Sequence, residues 1–268
     1  MQAPDFSIEG TNALVTGASQ GIGQSIAETF AAAGANVAIC SRSMDRVGPV
    51  ADAIDDADVP GSAFAAECDV RDREDVEAFF EAAADEFGGL DVVVNNAGGE
   101  FVAPFTDISE GGWEAVTDLN LGGTYRCCQV AGEYLRTDAG GDGGSIVNMA
   151  SVNGQHPAPN ESHYGAAKAA IIRLTETLAV EWAKQGVRVN CIAPGLVQTP
   201  GVADTLGIDE SDIPAREETF RRIGYPEEIA DLATFLVSPA ASFVTGETYT
   251  AKGVPRPGNS MSHDLGLK

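Results

Sequence analysis

Hydrophobic and polar positions along the chain follow two alternating patterns. Short apolar runs predict buried β-strands, and they occur at Ala13–Thr16, Asn36–Cys40, Ala63–Glu67, Val92–Asn95, Ser145–Met149, Arg188–Ile192 and Thr248–Thr250. Longer stretches between them repeat their apolar positions with the period of an α-helix; these include Ile22–Ala33, Asp72–Phe87, Trp113–Arg136, Tyr164–Lys184 and Glu227–Val237. Alternation of strands and helices predicts a parallel sheet covered by helices on both faces.

The chain of 268 residues is long enough for one large α/β domain or for two small ones. It contains no internal repeat, linker or break in composition, so we predict a single doubly wound α/β domain over residues 1–268, with about seven parallel strands. The stretch Pro194–Pro226 is rich in Pro and Gly and weakly periodic, which predicts a lid or substrate loop. Residues 254–268 are expected to form an irregular tail.

Net charge excludes two classes of partner. The chain has 16 Lys and Arg against 40 Asp and Glu, a formal charge of −24 at pH 7. Nucleic acids and anionic membrane surfaces would repel such a chain, so we expect neither as a partner. No apolar run approaches the roughly 18 residues of a membrane span, and the N-terminus lacks the pattern of a signal peptide. A cytoplasmic location is therefore expected.

The acidic residues also favour a particular environment. They are spread along the whole chain, and the basic residues are mostly Arg. Carboxylates keep a surface hydrated in molar salt, where charge repulsion is screened within about 3 Å. We predict adaptation to high salt, because a charge of −24 exceeds what solubility requires. The alternative is an ordinary acidic cytoplasmic protein.

Cysteine and histidine predict neither a disulfide framework nor a metal site. The five cysteines form an odd set without C-x-x-C spacing: Cys40, Cys68, Cys127, Cys128 and Cys191. They predict buried free thiols in a reducing compartment. The histidines lack the spacing of metal ligands, so no metal is expected.

A glycine-rich turn follows the first predicted strand. Residues 16–23 read TGASQGIG and run directly into the first predicted helix. Glycines at 17, 21 and 23 allow a sharp turn and the close approach of a pyrophosphate, while the helix N-terminus offers unpaired N–H groups. We therefore predict a Rossmann-type dinucleotide site. A purely structural turn is the alternative.

The end of the second predicted strand bears on which dinucleotide is bound. An acid there would bond the 2′-hydroxyl of NAD, whereas an Arg would pair with the 2′-phosphate of NADP. Ser41 and Arg42 occupy this end, and no acid does. We predict NADP, with NAD as the alternative. Gln20 stands where a basic residue would have added a second phosphate contact.

Tyr164 and Lys168 share one helical face because they lie four residues apart. A nearby ammonium favours the phenolate and would lower the pKa of Tyr164. Such a Tyr can donate a proton to a carbonyl or accept one from an alcohol. Ser151, just past the strand Ser145–Met149, can hydrogen-bond the reacting oxygen. A chance surface pair is the alternative.

These motifs together resemble the short-chain dehydrogenase/reductase family. They follow its order and spacing from about Gly10 to Gly253 and comprise TGASQGIG at 16–23, NNAG at 95–98, Asn120, Ser151, YGAAK at 164–168 and Pro194-Gly195. The resemblance implies a Rossmann fold and an oxidoreductase that transfers hydride with NADP or NAD. It also implies a homo-oligomer, either a tetramer or a dimer.

The resemblance assigns roles by position. Asn120, Ser151, Tyr164 and Lys168 would form the catalytic tetrad, with Tyr164 as acid/base, Lys168 also holding the nicotinamide ribose, and Asn120 anchoring a water. Asp69 would contact the adenine amine, with the Val70 backbone beside it. The other cofactor contacts would be Gly17, Ser19, Gln20, Gly21, Ile22 and Gly23 in the glycine loop, Asn95, Ala97 and Gly98 on the adenosine side, and Pro194, Gly195, Val197 and Thr199 near the nicotinamide. Structural alternatives are a helix cap for Asp69, a structural amide for Asn120 and an N-cap for Thr199.

The sequence specifies the substrate less closely than it specifies the type of reaction. Residues 95–105 and 221–245 resemble family branches that act on acyl thioesters, so a 3-oxoacyl-(acyl-carrier-protein/CoA) reductase is the first expectation. Secondary-alcohol and sugar dehydrogenases share the tetrad, and an enoyl-CoA reductase is a further alternative. His156 and His163 flank the site as candidates for substrate contact. The chain departs from the family at Ala251-Lys252-Gly253, where members often have Asp-Gly-Gly.

A different class of function is a binding module that senses NADP(H) without turnover. Such a protein would be free to lose the tetrad, which is complete in this sequence. We therefore expect an enzyme.

The charge of −24 predicts a dependence on salt. Carboxylates repel one another over about 10 Å at 0.1 M ionic strength but over only about 3 Å at 1 M. We expect the melting temperature and the turnover rate to rise from dilute to molar KCl, as measured by thermal unfolding and steady-state assays. Equal values in dilute and molar KCl would remove the prediction of salt adaptation.

Overall fold

The computed structural model describes residues 5–206, 213–218 and 223–253. Within them the strands are β1 Asn12–Thr16, β2 Asn36–Ser41, β3 Ser62–Glu67, β4 Val92–Asn95, β5 Gly144–Met149, β6 Val187–Pro194 and β7 Thr248–Ala251. The α-helices are α1 Gly21–Ala32, α2 Met44–Asp56, α3 Arg73–Phe87, α4 Glu110–Thr117, α5 Gly123–Leu135, α6 Ser162–Trp182, α7 Pro200–Leu206 and α8 Pro226–Val237.

The strands form one parallel sheet in the order β3-β2-β1-β4-β5-β6-β7. From β1 the chain adds β2 and β3 on one side and then β4 to β7 on the other, so the strand order reverses between the neighbouring strands β1 and β4. The loops after these two strands diverge and leave a crevice at the carboxyl edge of the sheet. The predicted single doubly wound Rossmann-type fold is confirmed. Every predicted strand is present, with ends that differ from the prediction by at most two residues.

Both faces of the sheet are buried. One apolar cluster joins the sheet to α1, α2 and α8, and a second joins it to α3, α5 and α6. Consecutive residues of β1 point to opposite clusters, with Leu14 in one and Val15 in the other. Burial on both faces explains why the strands are continuous apolar runs rather than alternating ones.

The helix α2 was not among the predicted elements. Gly48 and Pro49 lie inside it, and both residues are unfavourable within a helix. Its buried positions Val47, Val50 and Ile54 nevertheless lie on one face and pack against the sheet. Tertiary packing therefore outweighs the local preference against helix.

The predicted helix Trp113–Arg136 is wrong as a single helix. The chain forms α4, then a π-helical turn at Asp118–Gly122, then α5. The turn widens the backbone around Asn120, which is fully buried. Such π-turns are frequent at functional sites, and the apolar pattern alone does not distinguish them from α-helix.

The predicted loop Pro194–Pro226 is more structured than expected where it is described. The strand β6 extends to Pro194, α7 follows, and Val197 forms an isolated bridge with Gly224 before α8 begins at Pro226. The predicted tail, residues 254–268, lies outside the described residues.

Two features of composition have structural counterparts. The five cysteines are buried free thiols, as predicted. None of the described helices combines the length and the apolar character that crossing a bilayer requires.

Candidate active site

The glycine loop between β1 and α1 is shaped by three glycines. Gly17 and Gly21 have φ angles of 67° and 60°, in the left-handed region that favours glycine. A methyl group on Gly17 would lie 2.7 Å from the Cα of Ala97, and one on Gly23 would lie 2.5 Å from the carbonyl oxygen of Gly17. The loop therefore packs so closely against its neighbours that positions 17 and 23 have no room for a side chain.

The first turn of α1 is suited to an anion. Gln20 is the N-cap residue, yet its side chain makes no capping hydrogen bond. The first turn of α1 contains no acid, whereas α2, α3, α4 and α8 each have at least one there. The N–H groups and the positive end of the helix dipole thus face no carboxylate from their own helix. The turn, with Ser19 before it and Ile22 packed on the core, fits the pyrophosphate of a dinucleotide.

The segment after β4 is locked against this loop. Asn96 Nδ2 donates to the carbonyl oxygens of Thr16 and Gly17, each at 3.0 Å. The Thr16 hydroxyl oxygen accepts from the backbone N–H groups of Asn96 and Ala97 at 3.1 and 3.0 Å. Ala97 therefore borders the crevice. Asn96 was not predicted as a site residue, although its place in the NNAG motif was an available signal.

The side chain of Asn95 has a structural role that the sequence did not predict. Its side chain is buried and donates to Asn148 Oδ1 at 2.8 Å and to the sulfur of Cys128 at 3.2 Å. Asn148 donates in turn to the hydroxyl of Thr175 at 2.9 Å. The Asn95 side chain thus joins β4 to β5 inside the protein, and the predicted place of Asn95 on the adenosine side stays a prediction.

Asp69 lies after β3, where an adenine contact was predicted. Its carboxylate accepts from Arg71 Nε at 2.9 Å and from Arg71 Nη2 at 2.5 Å. These bonds hold the pKa of Asp69 below its usual value. Val70 beside it is buried and packs closely on Gly123 of α5. The carboxylate is therefore held by a neighbouring Arg, and the adenine contact stays a prediction.

Arg46, in the first turn of α2, is a residue that the sequence reasoning missed. Its Nη2 donates to Gln20 Oε1 at 2.9 Å. Arg42 is exposed just past β2, next to Ser41, whose hydroxyl donates to the carbonyl of Ser43 at 2.9 Å. Neither Arg42 nor Arg46 forms an ion pair with any residue in the described ranges. Two guanidinium groups thus lie near the nucleotide end.

Three predicted catalytic residues come together at the carboxyl end of β5. Lys168 is buried; its Nζ donates to the carbonyl of Met149 at 2.8 Å and lies 5.4 Å from the centroid of the Tyr164 ring. The Ser151 hydroxyl lies close enough to the Tyr164 hydroxyl to oppose the rise in its pKa. The Ser151 oxygen also accepts from the backbone N–H of Asn153 at 3.2 Å. A phenol, a hydroxyl and an amine are therefore grouped as the motif predicts.

The ionisation of Tyr164 differs from the prediction. Burial raises the pKa of Tyr164, and the charge of Glu100 adds to the rise, while Ser151 opposes it. Burial also lowers the pKa of Lys168, to about 8. The prediction that Lys168 draws the pKa of Tyr164 down is wrong, because the amine faces Met149 and desolvation of the phenolate dominates. The phenol is neutral and can act as a proton donor.

Asn120 lies close to this group. Its Nδ2 donates to the carbonyl oxygens of Gly99 and Val116 at 2.7 and 2.8 Å. A methyl group on Gly98 would lie 2.6 Å from Asn120 Oδ1 and 3.3 Å from Lys168 Nζ. Gly98 therefore brings the segment after β4 against both residues. The amide has a structural task here, and the water predicted for Asn120 stays a prediction.

The predicted nicotinamide contacts follow the start of the loop after β6: Pro194, Gly195, Val197 and Thr199. A methyl group on Gly21 would lie 3.1 Å from Thr199 Cγ2, so Thr199 closes over the glycine loop. Its hydroxyl also accepts from the backbone N–H of Val202 at 3.3 Å, at the start of α7. Thr199 thus fulfils the structural alternative of an N-cap while bordering the crevice.

The known proteins to which this chain is similar include several dehydrogenases and a family of reductases. The family model described as enoyl-(acyl carrier protein) reductase matches residues 17–253. The 3β-hydroxysteroid dehydrogenase 1 of Eggerthella lenta is 40% identical, over 92% of this chain and 94% of that protein. The D-threitol dehydrogenase of Mycolicibacterium smegmatis is 36% identical, over 93% and 94%. A solved 7α-hydroxysteroid dehydrogenase, complexed with NADH and 7-oxo glycochenodeoxycholic acid, has a TM-score of 0.84 and 32% identity, over 94% of this chain and 97% of that one.

A doubly wound sheet with a glycine turn at its switch point defines a nucleotide-binding α/β protein. The chain belongs to the short-chain dehydrogenase/reductase family, whose members bind a nicotinamide cofactor. It is an oxidoreductase that acts on CH–OH groups.

The packing of the glycine loop predicts the effect of one added methyl group. Gly23→Ala should destabilise the fold by about 1–3 kcal/mol, because the methyl group would collide with both Asn96 Nδ2 and the Gly17 carbonyl oxygen, which are hydrogen-bonded to each other. Gly111→Ala is the control, since nothing lies within 4 Å of its added methyl group. Urea unfolding of the cofactor-free protein measures the difference. Equal midpoints for Gly23→Ala and the unmutated protein would contradict the close packing.

Proposed function

We propose that this protein reduces a ketone to a secondary alcohol, or catalyses the reverse reaction, with NADP(H). The observation that carries the proposal is the contact of the Tyr164 hydroxyl with Ser151, beside the buried Lys168. This group lies at the same edge of the sheet as the glycine loop. A neutral phenol and a hydroxyl side by side suit an oxygen that gains a proton as its carbon is reduced.

Each residue of the site then has its own task. NADPH, when bound, supplies the hydride that reduces the carbonyl carbon. Tyr164 donates its proton to the carbonyl oxygen, and Ser151 donates a hydrogen bond to the same oxygen as charge develops. Lys168, with its pKa lowered to about 8, changes its protonation near working pH and can help to reprotonate Tyr164.

The charges at the nucleotide end support NADP over NAD. Six described arginines pair with carboxylates: Arg71, Arg73, Arg126, Arg136, Arg173 and Arg216. Among the residues with described positions, Arg42 and Arg46 form no such pair, and Arg188 bonds backbone carbonyls instead. Since Gln20 holds Arg46, the 2′-phosphate would meet two guanidinium groups, and Arg46 would replace the basic residue that the glycine loop lacks.

Two substrate classes have separate support. The relatives are named for a hydroxysteroid and for D-threitol, which favours a secondary alcohol or its ketone. The description of the matching family model favours an acyl thioester, and the Ser151–Tyr164 pair would then favour a 3-oxoacyl group over an enoyl group. NADPH oxidation with acetoacetyl-CoA, a ketosteroid, a ketose and an enoyl-CoA discriminates among them.

Assembly and environment belong to the same proposal. We expect a homo-oligomer, since Trp113 of α4, Tyr125 of α5 and Val180 of α6 are exposed by 37%, 48% and 80%. Gel filtration with light scattering measures the state. We also retain the cytoplasmic location and the adaptation to high salt as expectations from composition.

Removal of the phenol hydroxyl tests the proton donor. Tyr164→Phe should lower kcat at least about 100-fold, because general acid catalysis is lost, while the Kd for NADPH stays close to that of the unmutated protein. Tyr134→Phe, on a ring that packs against Phe80 of α3, is the control. Near-normal turnover by Tyr164→Phe would refute the assignment. Tight NADPH binding without oxidation across the substrate panel would instead favour the sensing module.

Removal of either unpaired Arg tests the choice of cofactor. Arg42→Ala and Arg46→Ala should each lower the ratio of kcat/KM for NADPH to kcat/KM for NADH by about 10- to 150-fold, the range of one charge-assisted hydrogen bond. Arg173→Ala on α6, which breaks an ion pair with Glu176, is the control. Unchanged ratios in both variants would count against NADP.

A further inference from the structure

Two acidic residues lie close together beside the predicted catalytic group, and the proposed mechanism uses neither of them. Glu100 lies in the segment after β4, and Glu161 lies just before α6, three residues ahead of Tyr164. Glu161 helps to raise the pKa of Glu100, to about 8, so the two carboxyl groups act on each other. Glu100 therefore keeps a proton near neutral pH, which it can donate to Glu161.

Two further contacts hold these segments together. The backbone N–H of Ala103 donates to the carbonyl oxygen of Asn160 at 2.9 Å. The Phe101 ring packs edge-on against His163, with ring centroids 4.4 Å apart. His163 is fully buried, whereas His156 is exposed, and a substrate contact by either histidine stays a prediction. The acid pair therefore lies where these two segments meet, with Glu161 half-buried and Glu100 exposed.

A chain of contacts leads from the pair to the phenol. Asn153 Nδ2 donates to Glu161 Oε2 at 2.5 Å. The backbone N–H of Asn153 donates to the Ser151 oxygen at 3.2 Å, and Ser151 lies beside Tyr164. Because the Ser151 oxygen already accepts from Asn153, its own proton is directed toward its other neighbour, the phenol oxygen or a substrate oxygen.

The Glu100–Glu161 pair also interacts electrostatically with Tyr164 and Lys168. Burial and the Glu161 contact raise the pKa of Glu100 to about 8, and Lys168 opposes the rise. Both acids raise the pKa of Tyr164, and Glu100 also raises that of Lys168. The titratable groups that act on the pair and respond to it are thus Tyr164 and Lys168 of α6.

We propose that Glu161 is a positioning residue for the reaction: it holds the Asn153 side chain and thereby orients the Ser151 hydroxyl toward the reacting oxygen. The proposal rests on the proposed function of Ser151 and Tyr164. Above the pH at which the shared proton is lost, the two carboxylates repel each other and the junction loosens. The orientation of Ser151 is then a property of the singly protonated pair.

Kinetics of four variants test the positioning role. Glu161→Ala should lower kcat about two- to tenfold, the range of one lost hydrogen bond, with little change in the KM for NADPH. Asn153→Ala should have the same effect, and the double variant should be no worse than either single one, because all three break one chain. Glu161→Gln should restore kcat, since its amide can accept from Asn153 and donate to Glu100. Glu181→Ala, at an exposed site on α6, is the control.

The shared proton has a readout that needs no turnover. A folded-state pKa raised to about 8 means that the folded protein binds more protons than the unfolded chain between about pH 4.5 and pH 8. Stability is therefore lost as the pH rises through this window, and Glu100→Gln should remove that loss. Urea unfolding should give equal midpoints for Glu100→Gln and the unmutated protein at about pH 4.5 and a higher midpoint for the variant at about pH 9.

The experiments distinguish the positioning role of Glu161, the shared proton and the proposed function. Full kcat in Glu161→Ala, or additive losses in the double variant, would overturn the positioning role. A stability difference independent of pH would overturn the shared proton. If Tyr164→Phe remains active, the proposed function fails, and the unfolding data still report on the acid pair separately.

Discussion

The contact between the glycine loop and the segment after β4 is the constraint on which the whole site depends. Asn96 and Thr16 exchange hydrogen bonds across 80 residues of sequence, at the point where the strand order changes direction. This junction holds the turn that fits a pyrophosphate. It also starts the path that brings Gly98 against Asn120 and Lys168. The nucleotide half and the catalytic half of the site are thus positioned by one set of bonds.

The nucleotide end of the crevice carries two arginines without an ion pair in the part of the chain that the structure describes, although the chain is acidic overall. The chain carries a charge of −24, and most described arginines are paired with carboxylates. Arg42 and Arg46 have no carboxylate partner in the described ranges, and the first turn of α1 has no acid. An anionic dinucleotide therefore meets favourable charge at this edge, while a generally acidic surface repels other polyanions.

Burial dominates the chemistry at the catalytic end. The pKa of Lys168 is lowered to about 8 and that of Glu100 is raised to about 8, while that of Tyr164 rises as well. All three shifts favour the neutral form, because the surrounding protein solvates charge less well than water. Their closeness couples the groups, so a proton gained or lost by one changes the others.

The sequence by itself determined the fold and the positions of the motifs, because strand runs, the glycine turn and the i, i+4 spacing of Tyr164 and Lys168 are local patterns. The local pattern did not predict α2, where packing outweighs the low helix preference of Gly48 and Pro49. It also did not predict the π-turn around Asn120. Only the tertiary structure decided that the Asn95 side chain faces inward, that Gln20 holds Arg46, and that Glu100 meets Glu161. These contacts join residues far apart in sequence, and the direction of the Tyr164 pKa depends on burial that such contacts create. Periodicity and spacing carry information along the chain, whereas desolvation and long-range hydrogen bonds exist only once the chain has folded.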